Sequence, residues 1–389
     1  MTRQIFADDI TTAELAEARA SAWCMRSSRG LEVLRYRQGS ELLRHPGLQK
    51  GASFRRRLDD IGIVSGEIRD HWNRMLVCNE GDVRERLRKP LTHLFRPAQM
   101  AKLQGEVRAI VDEALDTVED PRDVDFMREI AWKIPPRVYC HLVSAPPELA
   151  PLAAHLSDST LAPILTVAKD RIQESVDAFM ESYAFVEEHI DARRKDLGDD
   201  FTSVMIRQHL DGLLTHEELV YEGVSILQAS IDNTVHQLGL TFGTLLEAPE
   251  RWRRVVEQPS ILPAAVEETF RLRPRFGTVF RYAEHALTYE GEAIPEDSWV
   301  FVSVRSANRD ADLFDDPDSF RIGRPPVKAL MFGNGPYNCL GQTLARLEIH
   351  EAIRAVIARF PDTRMLGGWR SKDTNAVSET GHLRVSLHA

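Results

Sequence analysis

Cys339 stands in Phe332-Gly333-Asn334-Gly335-Pro336-Tyr337-Asn338-Cys339-Leu340-Gly341, a glycine-punctuated loop running into a long apolar-striped segment. From Leu340 to about Phe360, apolar residues recur at Leu344, Ala345, Ile349, Ala352, Ile353, Val356, Ile357 and Phe360. That spacing predicts a helix with one face on a core. A helix N-terminus offers partial positive charge and free N–H groups, so a cysteine there is expected to have a lowered pKa. The glycines let the backbone curl around the sulfur and admit something large and flat. Such a thiolate suits a soft metal or a nucleophilic role. A buried cysteine beside an ordinary turn is the bland alternative, and the loop alone leaves all three open.

Two further groups of residues could do chemistry. Thr215-His216-Glu217-Glu218 reads as a capping box opening a helix that continues through Tyr221 to about Glu247. Near its middle lies Gln228-Ala229-Ser230-Ile231-Asp232-Asn233-Thr234. The flanking Ile226, Leu227, Ile231, Val235 and Leu238 place Asp232 and Asn233 in the interior rather than on a solvated face. Glu268 and Arg271, spaced i, i+3, share one helix face. Arg84, Arg86, Arg88 and Lys89 form a local basic run, whose usual fate is a solvated helix face.

The segment Phe332–Glu348 resembles the haem-ligand loop of the cytochrome P450 family: Phe-Gly-x-Gly-x-His/Arg-x-Cys-x-Gly, then Leu-Ala-Arg-x-Glu. Phe332, Gly333, Gly335, Cys339, Gly341, Leu344, Ala345, Arg346 and Glu348 match, and Tyr337 takes the His/Arg position. Glu268-Thr269-Phe270-Arg271 resembles the family's Glu-x-x-Arg pair. Ala307-Asn308-Arg309-Asp310 and Pro317-Asp318-Ser319-Phe320-Arg321 resemble the segments between that helix and the cysteine loop. The resemblance runs from about residue 30 to the C-terminus and is most specific from Leu219 onward. It implies a mainly α fold with a small β region, a single cytochrome P450 domain over residues 1–389. The haem would lie between the long central helix and the cysteine helix. Residues 1–25 read as an N-terminal segment, partly disordered.

The same resemblance assigns roles. Cys339 becomes the axial thiolate of haem iron, which favours O–O cleavage. The haem propionates need cations if they are to be buried, and arginine suits them. The family's positions correspond to Arg84, Arg88 and Arg281, with Tyr337 able to donate one hydrogen bond but no charge. Ala229, Phe332, Gly333, Gly341 and Ala345 complete the haem surroundings. Glu268, Arg271 and Arg321 are expected to form a buried ion network under the cysteine loop. On the central helix the family pattern is Ala-Gly-x-Asp/Glu-Thr-Thr. Ala229 and Asp232 match, Ser230 replaces glycine, and Asn233 replaces the first threonine, whose hydroxyl relays protons during oxygen activation. Asp232 is assigned to proton relay. Asn233 does the threonine's work through its amide and a water, or Thr234 does it with a local bulge, or the substrate contributes. Leu227, Ile231, Gly277, Thr278 and Val377 are expected at the substrate pocket, within variable regions that include 54–78, 165–184 and 375–377. Arg273 and Arg275 read as surface or supporting residues, with a substrate carboxylate as the alternative partner of one of them.

Length and composition agree with that reading. The 389 residues contain no linker, repeat or low-complexity stretch. Strand-like runs fall at Leu31–Tyr36, Trp299–Val304 and Leu383–Leu387, against long amphipathic stretches over residues 100–260. A net charge of −10 argues against nucleic-acid binding. The N-terminus shows no signal peptide, and no apolar run suffices to span a bilayer. Cys24, Cys78, Cys140 and Cys339 lie far apart, without Cys-x-x-Cys, which fits a reducing cytoplasm. The expected activity is haem-thiolate monooxygenation, hydroxylation or epoxidation of a small organic substrate, perceived from family habit as one of secondary metabolism. The alternatives are atypical chemistry linked to Asn233 (oxidative coupling, ring formation or desaturation) and a noncatalytic haem-binding protein. Expected cofactors are haem b and O2, with electrons from NAD(P)H through ferredoxin reductase and ferredoxin. Arg86, Lys89 and Arg346 are the expected docking cations.

Overall fold

The computed structural model describes residues 11–166, 169–369, 371–373 and 376–388. Helices dominate and the sheets are small. One hydrophobic cluster runs from Leu31 to Leu387, joining the helices to the C-terminal strands. Of the N-terminal segment, Thr12–Ser21 is a helix whose Thr11 and Glu14 form a capping box. Residues 1–10 lie outside the described residues.

The largest sheet has the order Cys24–Arg26, Leu31–Val33, Ser298–Ser303, Thr278–Ala283. Leu31–Val33 pairs parallel with Ser298–Ser303, and Thr278–Ala283 pairs antiparallel on its other edge, with Arg281 opposite Val300. Val300, Phe301 and Val302 have no exposed surface, as a strand covered on both faces requires. The predicted strand at Leu31–Tyr36 stops at Val33, because Tyr36 opens the helix Tyr36–Leu42. Arg384–Ser386 is the middle strand of a second sheet, between Val124–Asp125 and Arg364–Met365.

Four helices position the site. The arginine helix is Gly81–Leu94, the Glu-x-x-Arg helix is Leu262–Leu272, and the cysteine helix is Gln342–Arg359. The cysteine helix starts two residues later than its apolar stripe suggests. The central helix differs most from expectation. It is two helices, His216–Ser230 and Asp232–Leu246, separated at Ile231 with φ −104° and ψ −75°. Hydropathy could not reveal the break, because the apolar stripe continues across it. Two hydroxyls accompany it. Ser230 Oγ donates to Ile226 O at 2.6 Å, a local bond that competes with the helix and bends it. Ser157 Oγ donates to Gln228 O at 3.2 Å, partnering a carbonyl in the last turn of the upstream half. The upstream half packs on Ala150–Thr166 and Ile172–Arg193, and the downstream half on the Glu-x-x-Arg and cysteine helices.

Candidate active site

The cysteine loop is held from below and from the side. Cys339 N donates to Phe332 O at 2.7 Å, closing the loop on itself. Gly333 and Gly335 adopt φ of +72° and +68°, the left-handed region that glycine enters without strain. A Cβ on Gly335 would also lie 2.8 Å from Arg44. Asn334 accepts from Lys328 Nζ at 2.7 Å and donates to Ser40 Oγ at 2.8 Å, anchoring the loop's tip. Phe332 packs edge-on to Phe270, and Arg346 lies over the Phe332 ring while pairing with Glu267. Cys339 lies deep in the molecule, yet its side chain borders open interior space rather than packed neighbours. The expected lowering of its pKa is not what this environment produces. Burial pushes the thiol up; the N–H groups of Gly341 and Gln342, with Arg88 and Arg346, pull it back only in part. Those groups do favour a sulfur that carries charge.

Beneath the loop, Arg271 and Glu268 form a buried bidentate pair, Nε–Oε2 2.8 Å and Nη2–Oε1 2.7 Å. Arg271 donates further to the carbonyls of Asn308, Pro317 and Ser319, so the three sequence segments converge on one guanidinium. The expectation that Arg321 supplies the third charge needs correction. Its side chain is exposed, and only its backbone N–H reaches Glu268, at 2.9 Å. Arg324 takes the place instead, Nε to Glu268 Oε1 at 3.1 Å. Gly323, at φ +96°, turns the chain between the two arginines.

The arginine helix divides the basic run. Arg84 and Arg88 point inward, whereas Arg86 pairs with Glu218 of the capping box at 2.5 Å and Lys89 is exposed. Of the expected docking trio, Arg86 and Arg346 pair with carboxylates, whereas Lys89 is exposed. Arg88 holds Asn338, next to Cys339, through its carbonyl at 2.5 Å. Arg84 and Arg281 lie over the Tyr337 ring at 4.6 and 4.9 Å, a favourable cation–π arrangement. The Tyr337 hydroxyl donates to Glu80, and burial together with that bond raises the phenol to about 12. Tyr337 is therefore a platform for two arginines, its own hydroxyl already committed. Sequence reasoning missed Glu80 and Lys50. Lys50 Nζ sits 4.0 Å over the Phe280 ring without an ion pair among the described residues. Burial, then Arg281 and Arg84, lower it to about 7. No pattern at Lys50 marks it; only the fold carries it to the arginines.

On the central helix, Asp232 begins the downstream half. Arg275 Nη2 meets its Oδ2 at 2.7 Å, and His236 Nε2 lies 3.2 Å from Oδ1. Burial alone would raise this carboxyl, but Arg275 and His236 outweigh it and hold the pKa well below the usual range. His236 Nδ1 accepts from Thr380 N–H at 3.2 Å, which leaves the proton on the nitrogen facing Asp232. Asn233 Oδ1 accepts from Arg275 Nε at 3.4 Å, leaving its amide N–H2 directed elsewhere. Thr234 is buried, its hydroxyl 3.4 Å from Ser230 O. Arg275 is thus a supporting residue that organises this region, and its partners were not legible in the sequence.

The pocket residues separate into two groups. Gly277 N donates to Ala376 O at 3.0 Å, and Phe276 bridges Val377, which brings Gly277, Thr278 and Val377 together. Leu227 and Ile231, by contrast, have no accessible surface and back the wall instead of lining it. Ala229 is the exposed residue of that stretch. Residue 375 and residues 167–168 lie outside the described residues.

The residues present fit a haem. Arg84 Nε and Arg281 Nε are buried without hydrogen-bond partners, a costly state unless anionic groups meet them. Cys339 faces open space, and Ala229 and Ala345 keep small side chains where a flat macrocycle would need room. The cytochrome P450 family model matches residues 149–363, more than half of the chain. The chain is a cytochrome P450. Luteothin monooxygenase of Streptomyces thioluteus is 32% identical over 362 residues, covering 92% of this chain and 88% of that protein. 6-Deoxyerythronolide B hydroxylase of Saccharopolyspora erythraea is 31% identical, covering 76% and 72%. Among solved structures, epothilone B-bound cytochrome P450epoK superposes with a TM-score of 0.90 at 24% identity, covering both chains fully, a likeness of fold. The P450 CxnD, described for C–S bond formation in chuangxinmycin biosynthesis, gives 0.85 at 25% identity, covering 98% and 95%.

This P450 is accordingly an oxidoreductase of the monooxygenase kind, similar to bacterial enzymes of secondary metabolism. Its family uses haem, O2, external electron donors and small-molecule substrates. No described helix is long and apolar enough to cross a membrane.

Proposed function

We propose that this P450 hydroxylates or epoxidises a small organic molecule of secondary metabolism in the cytoplasm. Haem b would be held by Cys339 and fed from NAD(P)H through ferredoxin reductase and ferredoxin. The observation that carries this reading is Cys339 itself, deep in the molecule beside open space, with two N–H groups and two arginines around its sulfur. A thiolate-bound haem supplies the electron push that favours O–O cleavage. The chain's own residues do the rest. Arg84, Arg88 and Arg281 supply positive charge for the propionates. Phe332, Arg346 and the Glu268–Arg271–Arg324 network keep the cysteine loop in place. Gly277, Thr278 and Val377 border the substrate.

For proton delivery, Asp232 is held as an anion and orients Arg275, which in turn fixes Asn233 by its oxygen. Asn233 then presents its amide N–H2 as the donor where the family pattern has a threonine hydroxyl. Thr234 is a weaker candidate, being buried and turned to Ser230 O. A second reading, oxidative coupling, ring formation or desaturation, rests on this same substitution.

Product formation with a surrogate ferredoxin system tests the assignment. Asn233→Ala should uncouple electron consumption from product, and Asn233→Thr should retain an oxygenated product. If Asn233→Ala leaves coupling unchanged, Asn233 has no part in proton delivery. Cys339→Ser should abolish the far-red-shifted carbon-monoxide band of thiolate ligation; an unchanged spectrum would sink the whole reading.

A further inference from the structure

Glu222 is the most anomalous buried group that the active site does not use. It lies on the upstream half of the central helix and is 1% exposed, and neither carboxylate oxygen has a hydrogen-bond partner. A buried polar group left unmade costs roughly 1–3 kcal/mol, and more if charged. Its neighbours have evident work: Tyr221 holds His71 at 2.8 Å, and a Cβ on Gly223 would collide with Val186 at 2.5 Å. Nothing in the packing asks for a carboxyl between them.

Arg84 supplies the second observation. Its Nη1 is spent on Leu76 O at 2.8 Å, while its Nε, like the Glu222 oxygens, lacks a partner. The two groups act on each other electrostatically. Glu218, one turn earlier, does not compete for Arg84, because Arg86 and the Thr215 cap engage it. A carboxyl and a guanidinium, both buried and both incompletely bonded, are therefore coupled on the side where Arg84 would meet a propionate.

We propose that Glu222 takes up a proton when the haem is reduced, acting through Arg84. The inference rests on the haem-thiolate reading above. With haem bound, reduction would add one electron from the external reductant, and one proton would pass from solvent to the Glu222 carboxylate, so the buried region would gain no net charge. Compensation matters there because charge is poorly screened in the interior. Burial raises the Glu222 carboxyl to about 8, with Arg84 opposing and Glu218 assisting, so its proton exchanges near neutrality. Lys50, another neighbour of Arg84, also titrates near neutrality and serves as the control.

The test is a redox titration of the haem-loaded protein across neutral and mildly alkaline pH. The wild-type midpoint potential should fall as pH rises through the Glu222 titration, since the ionised carboxylate disfavours an added electron. Glu222→Gln, close in shape, should flatten that step and keep the potential at the wild-type low-pH value. Glu222→Asp should restore a step at a shifted pH, and Lys50→Met should leave the Glu222 step in place. A purely structural role would change thermal stability without touching the slope. A haem-loaded Glu222→Gln protein with the wild-type slope overturns this inference alone. A chain that takes up no haem, or lacks the thiolate carbon-monoxide band, overturns the parent reading with it.

Discussion

Two buried charge clusters stand on opposite terms in this P450. Around Glu268, two arginines and a backbone N–H share one carboxylate, and the remaining guanidinium donors of Arg271 end on carbonyls. Around Tyr337, Arg84, Arg281 and Lys50 gather with Glu80 nearby, and two guanidinium Nε atoms stay unpartnered. The first cluster is complete within the chain, so it stabilises the scaffold. The second is incomplete, so it is built for something that arrives. Burying charge is tolerable only when it is paired, which is why an unfinished cluster points to a ligand.

The largest test removes a member of the finished cluster. Arg271→Leu leaves Glu268 buried with one partner fewer and should cost about 3–5 kcal/mol of stability. Chemical denaturation of the cofactor-free chain measures it, and a loss under about 1 kcal/mol would break the contrast.

Arg281→Leu should behave in the opposite way. The cofactor-free chain should lose little stability or gain some, because an uncompensated charge has gone. Haem affinity should fall about tenfold to a hundredfold, as expected for a charge-assisted bond of roughly 1.5–3 kcal/mol. Haem transfer to an acceptor protein reads this directly.

Lys50 sharpens the comparison through pH. Its pKa is lowered in the fold to about 7, against about 10.4 for an unfolded lysine. Between those values the unfolded chain binds the extra proton, so stability of the cofactor-free protein should rise with pH across that interval. Lys50→Met should remove the rise, as denaturation at several pH values will reveal. The smallest effect belongs to Lys89→Glu. As an exposed site it should alter stability by less than about 0.5 kcal/mol, while slowing electron transfer from ferredoxin at low salt.

The sequence by itself determined the parts whose chemistry is local. The cysteine loop announces itself because a ligand at a helix entry needs glycines at fixed offsets, and Gly333 and Gly335 do take the left-handed conformation. Glu268 and Arg271 are legible because i, i+3 spacing makes them neighbours on one helix. Tertiary structure decided what depends on long-range approach. It chose Arg324 over Arg321 because a turn at Gly323 sets which side chain comes back to Glu268. It broke the central helix at Ile231, where an unbroken apolar stripe gave no warning, and it brought Arg275 to Asp232 across 43 residues of chain. Lys50 and Glu222 carry no motif at all. Their meaning lies in which neighbours they lack, a property that exists only once the chain has folded.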